Sequence, residues 1–219
     1  MPSIFEHLMN LPLFKGVSLD RLTEIVGEIK FEFLKFEKGT QIVAAGEPCT
    51  HIVFVLSGKT RSSYHGGETR LTLEQRCTPP TVVAPEYLFG RYTDYPCSVV
   101  ALEEVSVLRI SKHDYIKILG RDEVFMFNYL NLLSLNTQKA NMGLMSGSTG
   151  GIDRIIMILS MLTRPGSSEI CLKTPATTLI EVFGSEAVEQ MRRIGSAIVE
   201  VLPSELHVYD REKLLRLYY

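Results

Sequence analysis

Between residue 1 and about residue 118, glycine and proline cut the chain into short runs that favour extended backbone: His51–Leu56, Arg70–Leu73, Thr81–Ala84, Ser98–Ala101 and Val105–Ile110. Turn signals separate them at Lys38-Gly39, Gly46-Glu47-Pro48, Ser57-Gly58, Gly66-Gly67 and Pro79-Pro80. Many short strands at regular spacing predict an antiparallel sandwich or barrel. One short helix is predicted ahead of them, from Ser18 to about Ile29. Ser18 would cap it, and Leu22, Ile25, Val26 and Ile29 share one face.

From Arg121 to about Leu144 the period becomes helical. Val124, Phe127, Leu130, Asn131 and Ser134 form one stripe, and Phe125, Tyr129, Leu132, Leu133 and Leu135 widen it past a single face. A helix apolar on more than one side must be covered on more than one side. One side can pack on the β-domain. The other is expected to meet the same helix of a second subunit. The run Ser146-Gly147-Ser148-Thr149-Gly150-Gly151 has little conformational preference and reads as a hinge.

A second unit of about 70 residues follows. Ile152–Thr163 is predicted helical, and Pro165-Gly166 stops it. Thr177–Phe183 reads as a short helix, Gly184 breaks the pattern, and Ser185 can cap a further helix through Ile194. Ile198–Val201 and Glu205–Tyr209 read as two strands about a turn at Leu202-Pro203-Ser204. Asp210 caps a last helix, Arg211–Leu217.

Composition narrows the function classes. The 219 residues allow one large domain or two small ones. Hydrophobic residues at 45% and charged residues at 22% exclude a disordered chain. No apolar run reaches the ~18 residues of a membrane span, and Met1–Asn10 does not read as a signal peptide, so a cytoplasmic protein without a membrane partner is expected. A net charge of -2 gives no bulk signal for nucleic acid. Cys49, Cys77, Cys97 and Cys171 lie far apart with no CxxC pair. They read as reduced, structural thiols, and a metal site would need ligands gathered by the fold. There is no nucleophile elbow, HExxH or P-loop, and no two histidines lie within ten residues, so no catalysis is expected.

Three stretches stand in order: Glu37-Lys38-Gly39-Thr40-Gln41-Ile42, Ala45-Gly46-Glu47-Pro48, and Ile52 to Leu56 followed by Ser57-Gly58. With the opening Leu11-Pro12-Leu13-Phe14-Lys15-Gly16 and the closing Val99–Leu108, this set resembles the cyclic-nucleotide-binding β-roll of the Crp/Fnr family of bacterial transcription regulators. The resemblance covers the chain in order. It implies an α+β fold: an N-terminal double-stranded β-helix (jelly roll) as sensor over 1–120, a dimerisation helix over 121–145, a hinge at 146–151, and a C-terminal winged helix-turn-helix over 152–219 that binds DNA. Gly184 would be the turn, Ser185–Ile194 the helix for the major groove, and Ile198–Tyr209 the wing.

The family's pocket uses a Gly-Glu step and, about ten residues on, an Arg followed by a small residue. Here Ala84-Pro85-Glu86 stands near the first and Pro96-Cys97 near the second. Pro85 has no N–H to offer a phosphate, and Arg91 falls at another offset. Cyclic AMP is therefore not expected as the ligand. Glu86, Tyr87, Arg91 and Ser98 are the candidate pocket residues for an effector of unknown chemistry. The N-terminal cysteine group of iron–sulfur sensors is absent. Haem is not expected either, although His51, Met126, Met142 and Met145 are possible axial ligands.

The recognition stretch reads Ser185-Glu186-Ala187-Val188-Glu189-Gln190-Met191-Arg192-Arg193. Ser185, Gln190, Arg192 and Arg193, with Thr178 on the preceding helix, are the candidate DNA contacts, and Arg164 and Lys173 could join a basic patch. From Gly150 onward the chain carries eight basic against nine acidic side chains, which opposes tight phosphate binding. Two functions are compatible with this pattern. One is a homodimeric regulator binding double-stranded operator DNA. The other is a dimeric sensor or adaptor that no longer binds DNA and acts through protein partners.

Overall fold

The computed structural model describes residues 8–66, 71–119, 121–145, 150–163 and 167–217. In chain order its elements are α1 (Leu19–Glu28), β1 (Phe31–Phe36), β2 (Gln41–Val43), β3 (His51–Ser57), β4 (Thr60–Gly66), β5 (Leu71–Cys77), β6 (Thr81–Val83), β7 (Ser98–Ala101), β8 (Val105–Ser111), α2 (Lys112–Leu119), α3 (Glu123–Met145), α4 (Gly151–Leu162), β9 (Ser167–Lys173), α5 (Ala176–Phe183), α6 (Ser185–Arg193), β10 (Val199–Val201), β11 (Leu206–Val208) and α7 (Arg211–Arg216). Contacts divide the chain into two compact units, residues 1–60 with 78–135 and residues 61–77 with 136–219. Among the described residues no helix is long and apolar enough to cross a membrane.

The first unit is built on an antiparallel sheet of order β1-β8-β3-β6, and its β2 pairs antiparallel with its β7. Strand β8 is central. It pairs with β1 from Phe31↔Ile110 to Phe36↔Val105, and with β3 from His51↔Ser111 onward. Four successive residues of β3, Ile52 to Val55, are buried, which explains why that run is apolar without alternation. The turn after β3 depends on Gly58. Its φ is +82°, and a Cβ there would lie 2.3 Å from the Glu104 carbonyl oxygen, so any side chain would collide with backbone. Helix α1 begins where expected, with the Ser18 hydroxyl accepting from the Arg21 N–H at 3.3 Å and Leu22 and Ile25 buried.

The expected division of the long helix between two sides is visible in its first half. Phe125 and Tyr129 are buried in the first unit, whereas Val124, Met126, Phe127, Leu130 and Leu135 are exposed. Phe125 meets Phe14 edge-on at 5.0 Å between ring centres, and Phe14 meets Phe54 at 5.7 Å. The Asn128 amide donates to the Leu13 and Lys15 carbonyls at 3.2 and 2.8 Å. Residues 146–149 of the Gly/Ser run, with Arg164, Pro165 and Gly166, lie outside the described residues.

The second unit contains a sheet of order β10-β11-β9-β5-β4, in which β5 pairs with β9 from Thr72↔Lys173 to Cys77↔Ser167. Its core gathers Ile155, Ile156, Leu159, Ile170, Leu172, Leu179, Val188, Met191, Leu206 and Val208, and Leu73 from the β4–β5 hairpin joins them. Residues 61–77 therefore group with the C-terminal unit, although the sequence places them inside the N-terminal stretch. Strand β9 is a second departure, because the sequence pattern gives no element between Pro165 and Thr177. Its alternation puts Ile170 and Leu172 inward and Glu169, Cys171 and Lys173 outward. Helix α4 crosses close to its neighbours. A Cβ on Gly151 would lie 2.7 Å from both the Ala187 Cβ and the Phe183 carbonyl oxygen. Helix α6 starts at Ser185 with Gly184 in the cap position at φ +89°, so Ser185 is its first helical residue and not its cap. Asp210 does cap α7, accepting from the Lys213 N–H at 2.9 Å.

Candidate functional site

In the first unit the segment 84–98 carries the candidate pocket residues. It begins with Ala84, a buried non-glycine residue at φ +46°, a conformation that L-residues adopt at a cost. The 3-10 turn Pro85–Tyr87 follows, and fully buried Leu88 anchors its end. Tyr95 then pins the segment to the loop after β2. Its carbonyl accepts from Gly46 N–H at 2.9 Å, and its N–H donates to the Glu47 carbonyl at 2.8 Å. Its hydroxyl donates to the His51 carbonyl at 3.2 Å. Burial pushes the Tyr95 phenol above its usual range, and the neighbouring Cys49 adds to the effect.

The four candidates lie on this segment between positions 86 and 98. Glu86 and Arg91 are exposed, and Tyr87 and Ser98 are half-buried. The Arg91 guanidinium sits 5.6 Å from the centre of the Tyr92 ring, a cation–π contact at the surface. The Ser98 hydroxyl accepts from the Ala45 N–H at 3.0 Å. None of the four lines the open groove nearby, about 550 Å³, whose walls include Cys49, His51, Thr93, Lys112 and His113. Burial, then the charge of Arg109, lowers the His51 pKa, and burial raises that of the Cys49 thiol.

The segment is tied to the long helix by residues that no local pattern marks. The Tyr129 hydroxyl donates to the Pro85 carbonyl at 2.7 Å in a buried setting. Phe89 meets the Tyr129 ring edge-on at 5.7 Å, Tyr115 meets it at 5.8 Å, and the Lys112 ammonium lies 5.1 Å from the Phe89 ring centre. Burial first, then the charge of Glu86, raises the Tyr129 phenol. The apolar excess of the 121–145 stretch marks Tyr129 as a packing residue only. Its partner lies 44 positions away, so no local pattern points to a tether.

In the second unit α5, the turn at Gly184 and α6 are followed by the antiparallel β10–β11 hairpin. Ala187, Val188 and Met191 face the core of the unit. Ser185, Gln190, Arg192 and Arg193 line one surface groove of about 480 Å³ with Ile180, Glu186 and Glu189. Four of the five candidate DNA contacts are thus brought together, while Thr178 is exposed on α5 outside that lining. The acidic residues share the face. Glu189 lies 3.7 Å from Arg192 and 3.6 Å from Arg193, and the Gln190 amide donates to Glu186 at 3.5 Å. Both arginines therefore spend part of their charge within the helix.

Residues 33–122 match the family profile of the cyclic nucleotide-binding domain. No curated protein sequence matches the chain. Among solved structures, the catabolite activator protein of Thermus thermophilus is similar at 18% identity, over 94% of this chain and 97% of that one, with a TM-score of 0.54. A transcriptional regulator from Thermotoga maritima (22% identity, 56% of this chain, 94% of that one) and the sensor domain of the transcriptional regulator DNR from Pseudomonas aeruginosa (19%, 60% and 91%) each have a TM-score of 0.49. At 18% identity the likeness to the catabolite activator protein is one of fold. The span 33–122 thus matches a cyclic nucleotide-binding domain, and the mixed α+β chain around it shares its fold with a bacterial catabolite activator protein.

Proposed function

We propose that the chain is a DNA-binding transcription regulator of the Crp/Fnr type that works as a homodimer, with a sensing roll that does not take cyclic AMP. The observation that carries this reading is α6. It packs Ala187, Val188 and Met191 inward, offers Ser185, Gln190, Arg192 and Arg193 outward, follows α5 through Gly184, and is followed by a two-stranded hairpin in the position of a wing. A helix presented this way fits the major groove. The second copy covers Phe127, Leu130 and Leu135 on the exposed side of α3. Two α6 helices then address half-sites ~34 Å apart.

The effector meets Glu86, Tyr87, Arg91 and Ser98, and its signal reaches α3 through the Tyr129–Pro85 hydrogen bond and the Phe89–Tyr129 contact. The test is a gel shift at low salt with DNA from upstream of the chain's own gene. Retarded DNA, abolished in an Arg192→Ala/Arg193→Ala variant, is expected. An intact dimer that leaves the DNA free overturns the reading.

One observation favours a second reading, a dimeric adaptor acting through protein partners. Glu186 and Glu189 share the α6 face with the arginines, and like charges repel phosphate. DNA binding gained only in a Glu186→Lys/Glu189→Lys variant supports the adaptor, and sequence-specific binding by the natural chain removes it.

A further inference from the structure

On the outward face of the second unit's sheet, three side chains of metal-ligating chemistry converge from positions the sequence keeps far apart. Cys171 on β9 and His207 on β11 stand directly opposite each other in the strand register. Glu205, two residues before His207, reaches between them. Its Oε2 accepts from the Cys171 Sγ at 3.2 Å, and its Oε1 lies 3.5 Å from His207 Nδ1. One ligand atom from each of the three residues falls within 4.8 Å of the other two, and all three residues are half-buried.

We propose that Cys171, Glu205 and His207 form a binding site for a divalent transition metal of the zinc type. The donor set suits it: a soft sulfur, an imidazole nitrogen and a carboxylate oxygen. Bond lengths of ~2.0–2.3 Å around a tetrahedral ion place neighbouring ligand atoms ~3.3–3.6 Å apart. The Sγ–Oε2 separation already lies near that spacing, and one ligand atom of each of the three residues lies within 4.8 Å of the other two, so a small closure brings them round an ion.

The outer partners fit as well. His207 Nε2 lies 2.6 Å from Glu169 Oε1, and the other oxygen of Glu169 is held by Arg76 at 2.7 Å. A carboxylate accepting from Nε2–H fixes the ring and leaves the Nδ1 lone pair for the ion, the arrangement in which a carboxylate orients a metal-bound histidine. Tyr209 stacks on the His207 ring at 4.2 Å and holds its plane. Binding replaces the Sγ–H with an Sγ–metal bond, and the thiol proton passes to water. Three protein ligands leave the fourth position to water or an outside donor. The ion would join β9 to the β10–β11 hairpin. The site stands whether or not α6 binds DNA.

The test is a cobalt(II) titration of the chelator-treated full-length chain without DNA, followed by competition with zinc. One equivalent is expected to produce a thiolate-to-cobalt charge-transfer band with the visible bands of a four-coordinate ion, and zinc is expected to bleach both. Cys171→Ser removes the charge-transfer band. Glu169→Gln keeps it but weakens affinity by about 10–100-fold. His113→Gln, an exposed histidine in the other unit, leaves the titration unchanged. No charge-transfer band in the parent chain, or the same band in Cys171→Ser, overturns the site.

Discussion

Two tyrosines in contact make a sensitive probe of how the long helix is held. Tyr129 is 6% exposed and Tyr115 is fully buried, with ring centres 5.8 Å apart. The Tyr129 hydroxyl donates to the Pro85 carbonyl at 2.7 Å. The Tyr115 hydroxyl has no hydrogen-bond partner among the described residues. Replacing each by Phe removes one oxygen and keeps the ring. Tyr129→Phe deprives Pro85 O of one donor, but the Leu88 N–H still reaches it at 3.2 Å. The carbonyl is therefore not stranded, and the loss stays near the ~1 kcal/mol of an ordinary net hydrogen bond. Tyr115→Phe deletes a hydroxyl that buries a polar group without return, so it costs nothing or stabilises by up to ~1 kcal/mol. Urea unfolding followed by circular dichroism, with the transitions of the two units fitted separately, measures both. At an m-value of ~2 kcal/mol/M, Tyr129→Phe lowers the midpoint of the first unit by about 0.5 M, and Tyr115→Phe leaves it or raises it. A Tyr115→Phe loss as large as that of Tyr129→Phe would show that the Tyr115 hydroxyl is bonded after all.

Further tests follow from the same geometry. Burial raises the phenols of Tyr95, Tyr115 and Tyr129 above the usual value near 10. Above that pH the unfolded chain releases protons that the folded one keeps, so stability falls as pH rises, by ~1.4 kcal/mol per unit for each group. Urea midpoints between pH 9 and 11 check this, and a flat profile contradicts it. Gly58→Ala, with its Cβ 2.3 Å from a carbonyl, is expected to cost more than ~2 kcal/mol. Gly39→Ala at φ +87° meets nothing within 4 Å and is expected to cost only ~1–2 kcal/mol in the same assay, so equal losses would discredit the close-approach argument. Glu189→Gln frees Arg192 and Arg193 and is expected to tighten DNA binding by up to about fivefold, the ~1 kcal/mol of an exposed ion pair. Fluorescence anisotropy reads it, and weaker binding would show that Glu189 itself contacts the partner.

Local rules carried much of the fold. Caps at Ser18 and Asp210, the turn glycines around β3 and the helical period after Arg121 depend on neighbours within a few positions, so the sequence displays them. The two-sided character of 121–145 also reads correctly in its first half, because Phe125 and Tyr129 bury while Phe127 and Leu130 do not. Strand β9 was not legible. Its two inward apolar residues, Ile170 and Leu172, form too short a pattern to stand out, and its partner β5 lies roughly 90–100 positions earlier. Helix α2 did leave a mark in Ser111-Lys112-His113-Asp114, where the Ser111 hydroxyl accepts from the Asp114 N–H at 3.0 Å, but the surrounding strands masked it. The α6 face was readable as a set of residues, since one helix turn brings them together. The pairing of Glu189 with both arginines needed rotamers to be seen. The tether at Tyr129 and the meeting of Cys171 with His207 depend on long-range register, which no window of sequence contains.

DNA binding by the dimer through α6 is read most directly in a protection assay of the full-length chain on DNA from upstream of its gene, repeated with Arg192→Ala/Arg193→Ala. Two protected segments centred one helical turn apart, ~34 Å, are expected, fading as salt rises and vanishing in the variant. A single unpaired footprint, or protection that survives loss of both arginines, would contradict that mode of binding.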